Sequence, residues 1–296
     1  KYEIVVHDDA STDNTINIIK EYKERYPDII IPVIETENQY SKGTLRLRCF
    51  NPYIRGKYIA ICEGDDYWTD PNKLQVQVDY LEAYPECSFA FHNAKIIGTN
   101  GRILKNSFLP GHFFKNSIWH NRDMVYETPD IIKFDFIPTA SIVARTQFFK
   151  ESIDFCDKPV CGDLPLKLYL ACKGKAYYVN RKMSMYRTGN PSSASGVVRN
   201  NKDVLLKTYN GHIDILQGFN KYTGYTWDKD IRLDMERRKV WYLMSTGNIT
   251  AIKQAGLLGV MKNEITIYAR LAYYVRTHLS SIYNLLKKIR DQRYTK

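Results

Sequence analysis

The chain has 296 residues, 44% apolar and 25% charged, the make-up of a folded globular protein and not of a disordered or low-complexity one. Lys and Arg number 43 against 32 Asp and Glu, a formal charge of +11; seventeen of the basic but only eight of the acidic residues fall in 201–296. No run of about 18 apolar residues could cross a membrane, and no charged-then-apolar signal segment opens the chain. The first residue is Lys1 and not Met, and residues 2–7 already read as a strand, which points to a chain that starts inside a longer protein. That strand is a continuous apolar run, the pattern of a strand covered on both faces. Ile16, Ile19 and Tyr22 then share one face of a helix that ends before Pro27, with Asp13 and Asn14 as its caps. Residues 29–34 read as a second strand, held to an edge by Pro32.

Residues 44–55 read as a short helix and 57–62 as a third strand. Asp70-Pro71 opens the next helix, with Asp as N-cap and Leu74, Val78 and Leu81 as its buried stripe. Residues 88–97 form a fourth strand, followed by the Asn100-Gly101 hairpin signal. The order βαβαβαβ argues for a mostly parallel sheet with right-handed crossovers, flanked by helices. Residues 105–135 are irregular and aromatic-rich. Residues 139–144 and 176–179 read as strands and 163–172 as a helix. From about residue 200 the pattern is helical, and the apolar residues from Ile265 to Ile289 keep a helical period. Residues 1–198 are therefore expected to form the α/β domain and 199–296 a basic helical region. Six scattered cysteines with no Cys-x-x-Cys pair read as buried thiols in a reducing compartment, not a zinc site.

Ligands in parallel α/β sheets sit beyond the carboxyl ends of strands. Two acidic clusters fall there: Asp8-Asp9 after the first strand, and Glu63-Gly-Asp65-Asp66 after the third. Carboxylates brought together repel, and a hard divalent cation offsets them. Asp70 already caps the following helix, so the Asp65-Asp66 pair is not needed for that task.

Glu3-Ile-Val-Val-His-Asp-Asp-Ala-Ser-Thr-Asp-Asn-Thr15 resembles the first nucleotide-binding segment of GT-A fold, family 2 glycosyltransferases. Gly56-Lys-Tyr-Ile-Ala-Ile-Cys-Glu-Gly-Asp-Asp-Tyr-Trp-Thr-Asp-Pro-Asn-Lys-Leu74 resembles the Asp-x-Asp-type metal segment. Ile137-Pro-Thr-Ala-Ser-Ile-Val-Ala-Arg145, Gly162-Asp-Leu-Pro-Leu166, and Tyr186-Arg187 with the 192–195 serines are similar to a later core strand, the acidic catalytic segment and the loop over the donor diphosphate. The resemblance spans residues 2–196 and implies a GT-A, Rossmann-like sheet. It also implies a nucleotide-sugar donor, usually UDP-linked, a divalent metal (Mg or Mn) and a glycan or lipid-linked acceptor in surface polysaccharide or glycolipid assembly. By the same resemblance, Asp9 would hold the base and Ser11 would lie near the nucleoside. Asp65 would lie near ribose and metal, and Asp66 would bind the metal. Asp163 would be the catalytic base, with Asp154 and Asp157 as alternatives, and Arg187 would clamp the diphosphate. Two departures stand out. The family's usual first strand and helix are absent, which leaves an expected open sheet edge. The catalytic segment reads Gly-Asp where the family has Glu-Asp.

Other candidates stay open or carry no role. Tyr67 and Trp68 would stack on a sugar or simply pack. Lys42, His7, His112 and His120 are read as structural or solvated. The basic tail implies either peripheral contact with an anionic membrane, at its cytoplasmic face and with Tyr273, Tyr274 and Tyr283 near the headgroups, or plain helical packing. Two further functional readings remain: a non-catalytic nucleotide-sugar-binding module, and a basic nucleic-acid-binding protein. Against the latter, the charge sits in the tail and no recognition motif is present, so no nucleic acid is expected.

Overall fold

The computed structural model describes residues 1–39, 51–109, 114–115, 120–134, 136–149, 153, 155–156, 159–191, 193–279 and 281–282. Nine strands are assigned in these segments: β1 (Ile4–Asp8), β2 (Ile30–Ile34), β3 (Tyr58–Ala60), β4 (Tyr67–Trp68), β5 (Cys87–Ile97), β6 (Ile103–Lys105), β7 (Met124–Tyr126), β8 (Val143–Arg145) and β9 (Lys175–Arg187). The first five helices are α1 (Thr15–Arg25), α2 (Lys73–Ala83), α3 (Thr128–Lys133), α4 (Thr146–Phe149) and α5 (Asp163–Lys173). The helices from residue 194 onward are α6 (Ala194–Asn200), α7 (Lys202–Tyr222), α8 (Asp228–Thr246), α9 (Ile249–Gln254), α10 (Leu258–Glu264) and α11 (Ile267–His278).

The class is α/β, with a sheet flanked by helices, as the residues predict. The strand directions are more mixed than expected. β1 pairs with β2 and β5 with β9 in parallel; β3, β4, β6, β7 and β8 all pair antiparallel. The main sheet runs β3-β8-β5-β9-β4, and β1-β2 stand apart as a two-stranded sheet. Among the described residues, no strand covers the other edge of β1. Its side chains are mostly half-buried, with Ile4 exposed and Asp8 buried, and not covered on both faces as the apolar run suggests. The Arg55 guanidinium and backbone N–H both bind the Glu3 carboxylate, which ties the small sheet to the turn before β3.

Local chemistry moves several boundaries. α2 begins at Lys73, not at Asp70: the Asp70 carboxylate accepts the Asn72 N–H at 2.9 Å and holds a turn ahead of the helix. Of the helix expected over 44–55, residues 44–50 lie outside the described segments and Asn51–Tyr53 form a 3₁₀ turn. Residues Thr139–Ser141 also form a 3₁₀ turn, so of the strand expected over 139–144 only Val143 and Ala144 pair, and β8 runs on to Arg145. Asn100-Gly101 makes the predicted turn, with Gly101 at φ +79° joining β5 to β6.

β5 over most of its length and residues 176–179 of β9 are buried on both faces, and Phe89, Phe91, Tyr126, Phe134 and Tyr178 fill one side of them. Phe91 meets Phe134 edge-on at 5.8 Å, a geometry that adds about 1 kcal/mol to the burial of such rings. Leu164 and Leu168 of α5 share a core with Ile215 and Phe219 of α7 and Ile231 of α8, across the boundary expected near residue 198. The helical period expected over 265–289 breaks at Ile265, which is fully buried and bridges to Phe114.

Candidate active site

The loop from β3 to β4 carries the acidic turn. Its anchor is Trp68, whose indole N–H donates to Ala140 O at 2.8 Å and whose ring lies 4.3 Å from the Lys73 ammonium. Trp68 therefore packs, whereas Tyr67 is exposed and free to meet a ligand. Glu63, half-buried, has its carboxyl raised by burial; the charges of Asp163 and Asp65 add to the effect, and a Thr139 hydrogen bond opposes it. One Glu63 oxygen, Oε2, is buried with no hydrogen-bond partner. Asp66 is pushed up to about 7, first by burial and then by Glu63 and Asp65. Among the described residues its one hydrogen-bond donor is a backbone N–H, that of Arg187 at 2.8 Å.

Arg187 ends β9. Its Nε donates to Asp65 O at 3.0 Å, and its Nη1 reaches Gly98 O and Thr99 O at 3.3 Å each. In this arrangement the guanidinium braces the acidic turn against the β5–β6 turn. Asp163 is the first residue of α5, where the helix N-terminus favours negative charge. Tyr186 joins these groups. Its phenol is pushed up to about 12, mainly by burial and then by Asp66, Asp163, Asp65 and Glu63 together. Asp65, Asp66 and Asp163 thus lie within electrostatic reach of one side chain, and so does Glu63. The sequence names Tyr186 only within the Tyr186-Arg187 segment and Glu63 only within the acidic cluster, with no individual role for either. Asp154 and Asp157 lie outside the described residues.

Asp9 and Ser11 belong to a second group, at the carboxyl end of β1. Asp8 Oδ2 accepts the Ser11 N–H at 3.0 Å, and Asp9 Oδ1 accepts the Gln39 N–H at 2.6 Å. Ala10, between them, has φ +61°, which leaves the turn open for Ser11 at a steric cost to the alanine. Gln39 and Asn38, in the loop after β2, hydrogen-bond to Asp9, whereas Arg187 at the end of β9 holds Asp66. Among the described residues, no three His, Cys, Asp or Glu side chains are spaced to hold a metal by themselves. A cavity of about 680 Å³ opens three residues before Asp163, between Phe155, Val160 and the Leu206, Asn210 and Asp214 face of α7. None of the four acidic-site residues lines it.

Residues 1–143 match the sequence model of glycosyl transferase family 2. This segment belongs to glycosyl transferase family 2. The family 2 segment contains Asp9, Ser11, Asp65 and Asp66; Asp163 and Arg187 lie beyond it. An uncharacterized protein of Mycobacterium tuberculosis is 35% identical over 185 residues, 62% of this chain and 49% of its own. An uncharacterized glycosyltransferase of Methanocaldococcus jannaschii is 35% identical over 102 residues, 34% of each chain. A UDP-Glc:alpha-D-GlcNAc-diphosphoundecaprenol beta-1,3-glucosyltransferase of Escherichia coli is 36% identical over 81 residues, 27% of this chain and 30% of its own. The chain spans about half the length of the mycobacterial relative.

Proposed function

We propose that the protein is a metal-dependent, inverting glycosyltransferase. It moves a sugar from a nucleotide-sugar donor, UDP-linked, to a hydroxyl of a surface glycan or glycolipid. The observation that carries this reading is the acidic turn of Glu63, Asp65 and Asp66 inside the family 2 segment, held by Arg187, whose backbone N–H donates to Asp66 Oδ1 at 2.8 Å. Burial first, and then the neighbouring Glu63 and Asp65 charges, raise the proton affinity of Asp66, and a hard cation relieves that repulsion. Asp66, with Asp65 beside it, would hold Mg or Mn, which when bound would stabilise the charge on the leaving diphosphate.

The chain's own residues do the rest. Asp163 accepts the proton of the acceptor hydroxyl as that oxygen attacks the anomeric carbon. The nucleoside diphosphate leaves from the opposite face, so the centre inverts. Asp9 takes the base and Ser11 faces the nucleoside. Arg187 clamps the diphosphate once it releases Gly98 O and Thr99 O. The cavity before Asp163 receives the acceptor. The Escherichia coli relative's name specifies a sugar on diphosphoundecaprenol, and an acceptor of that lipid-linked kind suits a protein resting on the cytoplasmic face of a membrane.

The test is turnover of nucleotide sugars with lipid-diphosphate sugar acceptors, with Mn, with Mg and with chelator. Transfer that needs the metal and yields the inverted anomer supports the reading. Tight donor binding with neither transfer nor donor hydrolysis would instead leave a binding module.

A further inference from the structure

The last described helix divides its apolar side chains between two surroundings. Tyr273 of α11 is buried and packs with Val240, Met244, Ile252 and Ile265. Its neighbours Ile267, Tyr268, Leu271 and Tyr274 are 54 to 79% exposed. At 100° per residue these four fall within an arc of about 120° on the side away from Tyr273. Leu279 and Ile282 beyond them are also exposed. Single exposed apolar residues are ordinary, but a contiguous stripe of large ones marks a contact surface. Of the tyrosines expected near the headgroups, Tyr274 reaches this surface together with Tyr268, Tyr273 is buried, and Tyr283 lies outside the described residues.

Charge selects the occupant. Arg270 and Arg276 lie on the two flanks of the stripe, and α11 contains no acidic residue. Nine Lys and Arg against two Asp and Glu follow residue 252. A second copy would bring the same positive charge to the contact. Nucleic acid would leave the apolar stripe unburied. An anionic bilayer satisfies both features: apolar side chains enter the headgroup boundary, tyrosines sit at that level, and basic side chains meet lipid phosphates. Among the described residues no helix is long and apolar enough to cross a membrane, so the contact is interfacial.

We infer that the Ile267–Tyr268–Leu271–Tyr274 face of α11 is the surface through which the protein lies on anionic lipid. This rests on the membrane location proposed above and not on catalysis, so the two are read separately. The experiment is co-sedimentation of the full chain with phosphatidylcholine vesicles, with and without phosphatidylglycerol, at low and high salt. The wild type is expected to bind the anionic vesicles, to release with salt and to ignore the neutral ones. The Tyr268→Ser, Leu271→Ser double variant is expected to bind about a hundredfold more weakly, the order implied by losing two buried side chains. Both positions are exposed, so its thermal midpoint and far-UV spectrum should match the wild type. Anionic-vesicle binding by the variant equal to the wild type overturns the inference, as does equal, salt-insensitive binding to neutral vesicles. A wild-type dimer in sedimentation velocity that the double variant dissolves overturns it too, in favour of a second copy. Vesicle binding by a chain without transferase activity upholds this contact while the proposed reaction falls.

Discussion

The Arg187 backbone N–H donates to Asp66 Oδ1 at 2.8 Å, while the Arg187 side chain holds the carbonyls of Asp65, Gly98 and Thr99. One residue at the end of β9 thus fixes the acidic turn twice, and the two fixings separate under mutation. Asn at position 66 keeps an oxygen to accept the N–H and removes a repelled charge. Asp66→Asn should therefore leave the thermal midpoint unchanged or slightly raised, and abolish the Mn-dependent shift caused by donor. Arg187→Ala removes hydrogen bonds to three carbonyls and should lower stability by about 1–2 kcal/mol as well as weakening donor binding. Thermal denaturation with and without donor and Mn distinguishes the two patterns.

Asp163 sits apart from that clamp, at the first position of α5. It belongs to the acceptor's side of the proposed reaction. Asp163→Asn should keep donor binding and slow transfer by about two to four orders of magnitude, the usual contribution of a positioned base. A variant of near-normal rate would return the role to another carboxylate.

The acidic turns were legible because strand ends followed by Asp-Asp are local signals. The gathering around Tyr186 was not: it depends on β9 running to Arg187, and exposed Arg181 and Lys182 interrupt the apolar run that marks its start. α3 escaped notice because it is only one and a half turns long, although Glu127 and Asp130 form a reciprocal capping box at its start. The phase of α11 was the hardest to read. Tyr273 and Tyr274 are adjacent in sequence, and only packing against α8, α9 and Ile265 decides which of them is buried. The isolation of β1 from the main sheet is equally a matter of pairing, which an apolar run does not encode.

Ala10 stores strain that a single change should release. Its φ of +61° costs an L-residue with a side chain roughly 1–2 kcal/mol, part of which glycine gives back through its freer unfolded state. Ala10→Gly should therefore stabilise by up to about 1 kcal/mol. Ala10→Val, branched at the crowded carbon, should destabilise by more than about 1 kcal/mol. Urea denaturation of both variants measures the pair, and an Ala10→Val protein as stable as the wild type would refute the strain.

Lys73 is buried, its ammonium has no hydrogen-bond partner, and burial pulls its pKa down to about 7. The unfolded chain holds this proton up to about pH 10. Between the two values the unfolded state binds more protons, so stability rises with pH, and the full penalty applies below about pH 7. Lys73→Met, which can still lie on Trp68, should stabilise the protein by on the order of 3 kcal/mol near pH 6, with the advantage fading towards about pH 10. His92 acts at lower pH: burial first and the Lys73 charge second bring it down to about 3. Its contribution is lost as pH falls from about 6.5 towards that value. Thermal melts of wild type and Lys73→Met across the pH range check the sign, which a constant offset would contradict.

Two helical glycines should respond in opposite directions to the same methyl group. A Cβ at Gly218 of α7 would stand 2.1 Å from the Phe155 carbonyl oxygen, where backbone, not a flexible side chain, must move. A Cβ at Gly259 of α10 meets nothing within 4 Å. Alanine favours a helix over glycine by about 1 kcal/mol at either site. At Gly218 that gain is outweighed by an overpacking cost of about 1–3 kcal/mol or more, because the helix must withdraw from the Phe155 segment. Gly218→Ala should thus lower stability by about 2 kcal/mol and pull the Phe155 ring from its 5.3 Å contact with Phe219. Gly259→Ala should raise stability by roughly 0.5–1 kcal/mol. Because the Phe155 segment leads directly to Asp163, Gly218→Ala should also slow transfer, whereas Gly259→Ala should leave the rate unchanged.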